Sequence, residues 1–97
     1  MSVPILNHDE VEQARQRLAD ELAADCGGDW SNAYLPGSPG CHELLDRTAL
    51  ITAMLEDHVL AHPACVANSR WYAMAEQATT TLRELYQRVG EVHLGTE

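Results

Sequence analysis

The side chains best suited to chemistry in this chain are its histidines and cysteines. His58 and His62 stand four residues apart, and Cys65 follows three later. On a continuous α-helix, residues four apart share a face, so the two imidazoles could bind one metal ion, with Cys26 or Cys41 completing a tetrahedron. Two features oppose that reading: there is no CxxC pair, and Pro63 breaks the helix between His62 and Cys65. His58 also sits at the edge of an apolar stripe, where a histidine commonly flanks a core. The expectation is no bound metal, with His58, His62 and Cys65 as the residues that would hold one.

His42 with Asp46, and His58 with His62, also have the spacing of paired ligands around a di-iron cluster. The 16 residues from His42 to His58 amount to about 1600° of helical rotation, leaving the pairs about 160° apart on one helix. They face away from each other and cannot share a cluster.

Nucleophilic chemistry is no better supported. Cys41 and His42 are adjacent, and adjacent residues on a helix do not face one another. Cys65 meets His62 only if the turn at Pro63 folds them together, and no third group orients such a pair. Each thiol therefore reads as a small buried hydrophobe. The sequence has no phosphate-binding glycine loop, dinucleotide fingerprint, serine elbow or general acid/base carboxylate pair. Neither an enzyme nor a cofactor is expected.

Charge is more informative. Fifteen carboxylates stand against six arginines, with no lysine, for a net charge of −9. Nucleic acids and anionic membranes are bound through basic patches, so direct binding to either is not expected. Residues 1–62 carry eleven acids and three arginines, a balance of 3 − 11 = −8; residues 63–97 carry four and three, a balance of 3 − 4 = −1. The acidic half is either a solvated face or a surface that engages a basic protein, one route being to stand in for nucleic-acid phosphates. Asp20, Glu21 and Asp25 are its representative cluster. Towards the other end, Trp71, Ala75, Ala78, Leu82, Leu85 and Val89 step by four and three as a heptad seam, flanked by Tyr72, Arg83 and Tyr86. Tyrosine and arginine are enriched at protein interfaces, which makes these three the partner-binding candidates beside Asp20, Glu21 and Asp25. Ala75 and Ala78 admit a close helix neighbour, within a bundle or across a homodimer through this helix.

The elements that must position these residues are helices. Asn7 and Glu10 form a capping-box pair before a helix over residues 8–26, whose stripe is Val11, Ala14, Leu18 and Leu22 and whose stop is Gly27-Gly28. Residues 27–39 form a loop rich in Gly, Pro and Ser, with Trp30, Tyr34 and Leu35 expected to fold over the bundle end. Ser38-Pro39 opens a second helix, over residues 40–61, with a broad stripe of Cys41, Leu44, Leu45, Thr48, Ile51, Thr52, Leu55 and Val59; His62-Pro63 ends it. Residues 64–69 are a linking turn or a short fourth helix, capped into the next by Asn68 or Ser69. A third long helix covers residues 69–89, stopped by Gly90, with residues 90–97 as a tail.

The expected fold is a single all-α domain, a small three-helix bundle with an optional short fourth helix. Its expected core is Val11, Leu18, Leu22, Leu44, Ile51, Leu55, Val59, Trp71, Ala78, Leu82 and Leu85. The first ten residues have no basic region before a short apolar stretch broken by Pro4, and no window reaches membrane-spanning length, so neither a signal peptide nor a membrane association is expected. Three scattered cysteines suit a reducing cytoplasm, and abundant Ala with Arg replacing Lys suggests a bacterium or its phage or plasmid. The function expected is a non-enzymatic acidic protein–protein interaction module: an inhibitor, adaptor or accessory factor. The alternatives are a structural subunit of a larger assembly such as a virion, and a His/Cys metal sensor.

Overall fold

A computed structural model describes residues 7–95, and every regular element in them is helical. Helix α1 spans His8–Cys26, α2 spans Pro39–Leu55, α3 spans Pro63–Val66 and α4 spans Ser69–His93; a 3₁₀ turn occupies Trp30–Tyr34. The all-α class and the short fourth helix stand as expected. The apolar stretch before Asn7 and the last two tail residues lie outside the described residues. The chain divides into two compact units, Met1–Asn32 and Ala33–Glu97.

The helices begin where the caps dictate. Asn7 Oδ1 accepts from the Glu10 backbone N–H at 2.8 Å, and Asn7 Nδ2 donates to Glu10 Oε1 at 2.9 Å, a reciprocal capping box. Ser38 Oγ accepts from the Cys41 N–H with Pro39 in the first turn. Asn68 Oδ1 accepts from both Arg70 and Trp71 N–H, so Asn68 rather than Ser69 is the cap of α4.

Two helix ends differ from expectation. The second helix does not stay α-helical to residue 61. It widens into a π turn over Glu56–Leu60, marked by the Ala61 N–H donating to the Glu56 carbonyl five residues back. Helix α4 also runs through Gly90 to His93. Gly90 keeps a negative φ and is buried against Leu45, and the chain turns at Gly95, which has a φ of +69°.

Within the unit Ala33–Glu97, α2 and α4 pack antiparallel, as contacts of His42 with His93, Leu45 with Gly90 and Glu56 with Arg83 establish. Their shared seam is built mainly of small side chains around Leu45. Cys41, Leu45, Thr48 and Thr52 are buried on α2, Thr79 (0% exposed) and Gly90 on α4, and Leu60 and Cys65 close the end near α3. The buried threonines donate back to carbonyls one turn earlier: Thr48 to Leu44, Thr52 to Thr48 and Thr79 to Ala75, at 2.7–2.8 Å. Among the described residues, no hydroxyl is therefore buried without a partner.

This corrects the expected core. Leu55 and Leu82 are half-buried; Leu44, Ile51, Val59, Trp71, Ala78 and Leu85 are exposed, as are Val11, Leu18 and Leu22 on α1, which buries no residue. The physical reason is a choice of phase. The α2 stripe contains two parallel heptad rows, and the two helices close along the row of smaller residues, where their backbones approach most nearly. Tyr34 lies over Gly40 at the start of α2 and remains 57% exposed, so it covers that helix turn rather than a bundle end.

Candidate functional site

The three partner-binding candidates on α4 converge on one face. Arg83 lies four residues after the buried Thr79, on the flank of the seam that faces Glu56 of the π turn. Its Nη2 donates to Glu56 Oε2 at 2.8 Å, and its Nη1 lies 3.6 Å from Glu76 Oε1. Two shallow depressions meet at this ion pair. One, of about 240 Å³, is lined by Ala49, Thr52, Ala53, Glu56, Arg83 and Tyr86. The other, of about 570 Å³, has Tyr72, Leu60 and Val66 in its wall, again with Glu56 and Arg83. Each depression thus has one half-exposed tyrosine, and the Arg83–Glu56 pair divides them.

Glu56 and Glu76 were missed by sequence reasoning. Glu76 was legible in principle, seven residues and two turns before Arg83. Glu56 was not, because its contact with Arg83 spans 27 residues across two elements.

Asp20, Glu21 and Asp25 all lie on the exposed surface of α1, in the other unit. Asp20 Oδ1 accepts from Gln16 Nε2 at 3.0 Å. Earlier on the same helix, Arg15 Nε donates to both Glu12 carboxylate oxygens. That hydrogen bond, with the guanidinium charge, holds the Glu12 carboxyl below its ordinary range and raises Arg15.

The metal candidates meet a different environment from the one their spacing suggests. His58, His62 and Cys65 do line a common depression of about 370 Å³ with Val59, Ala64, Trp71 and Ala75. The π turn and the extended backbone of His62 (φ −66°, ψ 132°), however, end the continuous helix that a shared His58/His62 face requires. His62 Nδ1 instead accepts from the Ala64 N–H and caps α3. Among the described residues, no group of three or more His, Cys, Asp or Glu side chains is placed to hold a metal. Cys41 and Cys65 are buried, as read from the sequence, whereas Cys26 is exposed at the last position of α1.

A further cluster was not anticipated. His93 Nδ1 accepts from the Gly37 N–H at 2.8 Å, and His93 Nε2 lies 3.2 Å from His42 Nδ1. His42 Nε2 in turn lies 3.5 Å from Asp46 Oδ2. With both rings neutral, the Gly37 bond fixes the His93 proton on Nε2, which then donates to His42, whose own proton on Nε2 faces Asp46. This chain ties the turn before α2 to the last turn of α4, and neither ring bonds to a thiol or hydroxyl among the described residues. His93 was hidden because Gly90 reads as the end of its helix.

No helix of the described residues is long and apolar enough to cross a membrane. Comparison of the chain with protein-family models, curated proteins and solved structures returns no match.

Proposed function

We propose that this chain is a non-enzymatic protein–protein interaction module whose partner seats on the Tyr72–Arg83–Tyr86 face of α4. The observation that carries this reading is the pair of open depressions on either side of the Arg83–Glu56 ion pair, each with a half-exposed tyrosine in its wall. An amphipathic ring beside a charged, hydrogen-bonding centre is the composition of an interface anchor. The partner is a basic protein. The −9 charge of the chain favours its approach through the summed field, which requires no contact with Asp20, Glu21 or Asp25 themselves. The setting that suits the composition is a bacterial or phage-derived cytoplasmic inhibitor, adaptor or accessory factor that makes no direct contact with nucleic acid.

Parallel affinity capture from a native-host lysate, with wild type and with a Tyr72→Ala/Tyr86→Ala double variant as bait, tests this reading. A basic protein retained by wild type and lost from the folded double variant supports it. An identical set of captured proteins on both baits contradicts it.

A further inference from the structure

The face of the helical hairpin away from the Arg83–Glu56 pair is largely apolar, interrupted on α2 by Arg47, which pairs with Glu43, and we infer that it pairs with the same face of a second copy of this chain. The placement follows from helix geometry. On α2, Leu44 and Ile51 precede the buried Leu45 and Thr52 by one residue, a rotation of about −100° from the seam. On α4, Ala78 precedes the buried Thr79 by one residue, and Trp71 and Leu85 lie one heptad before and after it. Antiparallel helices are related by a twofold axis normal to the plane that contains them, so the same rotation on each leads to the same face of the hairpin. The opposite rotation leads to Glu56 and Arg83, which do meet across the other face. Val59 and Trp71 lining one depression place the end of the stripe on the apolar side as well.

Exposed area and core size both point to a second copy as the occupant. Leu44, Ile51, Val59, Trp71 and Leu85 are each 43–57% exposed. Together they leave roughly 500 Å² per copy, so a symmetric pair buries roughly 1,000 Å², the threshold of a specific interface before Leu55, Leu82 and Val89 beside them are included. A contiguous apolar patch of this size is towards the upper end of what monomers show and is often functional. Finally, the unit Ala33–Glu97 buries only Cys41, Leu45, Leu60 and Cys65 among its apolar side chains, a small core for its length. Twofold pairing of two hairpins supplies the missing layer as a four-helix bundle, with Trp71 and Ile51 opposite small residues such as Ala75 and Ala78. The tyrosine faces are left outward on both sides.

Light scattering on the full chain at high micromolar concentration should give twice the 10.7 kDa chain mass. Ile51→Glu, which puts a carboxylate on the face, should reduce this to one chain, and Tyr86→Ala on the other face should leave the dimer intact. Because Ile51→Glu could unfold the chain, a Trp30→Phe protein provides a second readout in which Trp71 is the only indole. Acrylamide should then quench Trp71 weakly, as for a buried ring. A wild-type mass of one chain, a mass above two, or Trp71 quenching as efficient as that of free tryptophan would overturn the inference.

Discussion

Gly40 and Gly90 both lie inside helices, and the surroundings of each set opposite expectations for the same substitution. Replacing a mid-helix glycine by alanine ordinarily stabilises by about 0.5–1 kcal/mol, because the unfolded chain loses freedom. At Gly90 an added Cβ would meet Leu45 Cδ1 at 3.8 Å, an ordinary contact. Gly90→Ala should therefore raise the melting temperature. At Gly40 the Cβ would lie 2.6 Å from the Ala33 carbonyl oxygen and against the Tyr34 ring. Gly40→Ala should lower stability by about 1–3 kcal/mol through overpacking. Denaturant unfolding of both variants checks the pair, and a stabilised Gly40→Ala would mean that the Tyr34 turn does not lie over α2. The His42–His93 chain gives a spectroscopic expectation at the same scale. Nitrogen-15 correlation spectra should place the proton of both neutral rings on Nε2. An Nδ1–H tautomer at His93 would be incompatible with its bond from Gly37. Glu12 adds a pH dependence of known sign. Its carboxyl is lowered by Arg15, so the pair supports α1 at neutral pH and that support is lost as pH falls through the carboxylate range. Glu12→Gln should flatten the acid dependence of helix content.

At the scale of elements, Leu45 and Leu18 are both leucines of apolar stripes, but their packing differs. Leu45 is 4% exposed in the α2–α4 seam, and Leu45→Ala should cost about 2–4 kcal/mol through the cavity it leaves. Leu18 is exposed on α1, and Leu18→Ala should change stability by less than about 0.5 kcal/mol. Comparable losses at the two sites would show that α1 buries its stripe. The contrast also marks what was legible in the sequence. The starts of α1 and α2 were readable because Asn7 and Ser38-Pro39 declare them through local chemistry that needs no tertiary context. His62-Pro63, by contrast, was legible as a helix end rather than as the start of α3, and the cap of α4 only as Asn68 or Ser69. The seam was not legible. Leu44–Ile51 and Leu45–Thr52 are equally periodic rows one residue apart, and preference for the larger side chains selects the wrong one. Thr48, Thr52 and Thr79 are at home in the seam only because each returns its hydroxyl to its own helix. The π turn left no sequence signal that distinguishes it from one more α turn.

For the whole molecule, charge and shape divide the work of recognition in the proposed interaction. Tyr72, Arg83 and Tyr86 were recognisable as a group because 14 residues between the tyrosines bring them within about 40° on one helix. Their acidic counterpart Glu56 was out of reach because only the folded hairpin brings it to Arg83. Buried aromatic contacts contribute more to affinity than exposed charges do, whereas a net field acts on encounter. Changes at the tyrosines should therefore be felt in dissociation, and changes on α1 in association. The most direct test is surface-plasmon kinetics of the captured partner against four folded proteins: wild type, Tyr72→Ala, Tyr86→Ala, and the Asp20→Asn/Glu21→Gln/Asp25→Asn triple variant, each across a salt series. The tyrosine variants should raise the off-rate with little change in the salt slope. The triple variant should lower the on-rate and flatten its salt dependence while leaving the off-rate unchanged. Binding abolished by the triple variant but untouched by either tyrosine substitution would contradict the assignment of the α4 face as the seat of the partner.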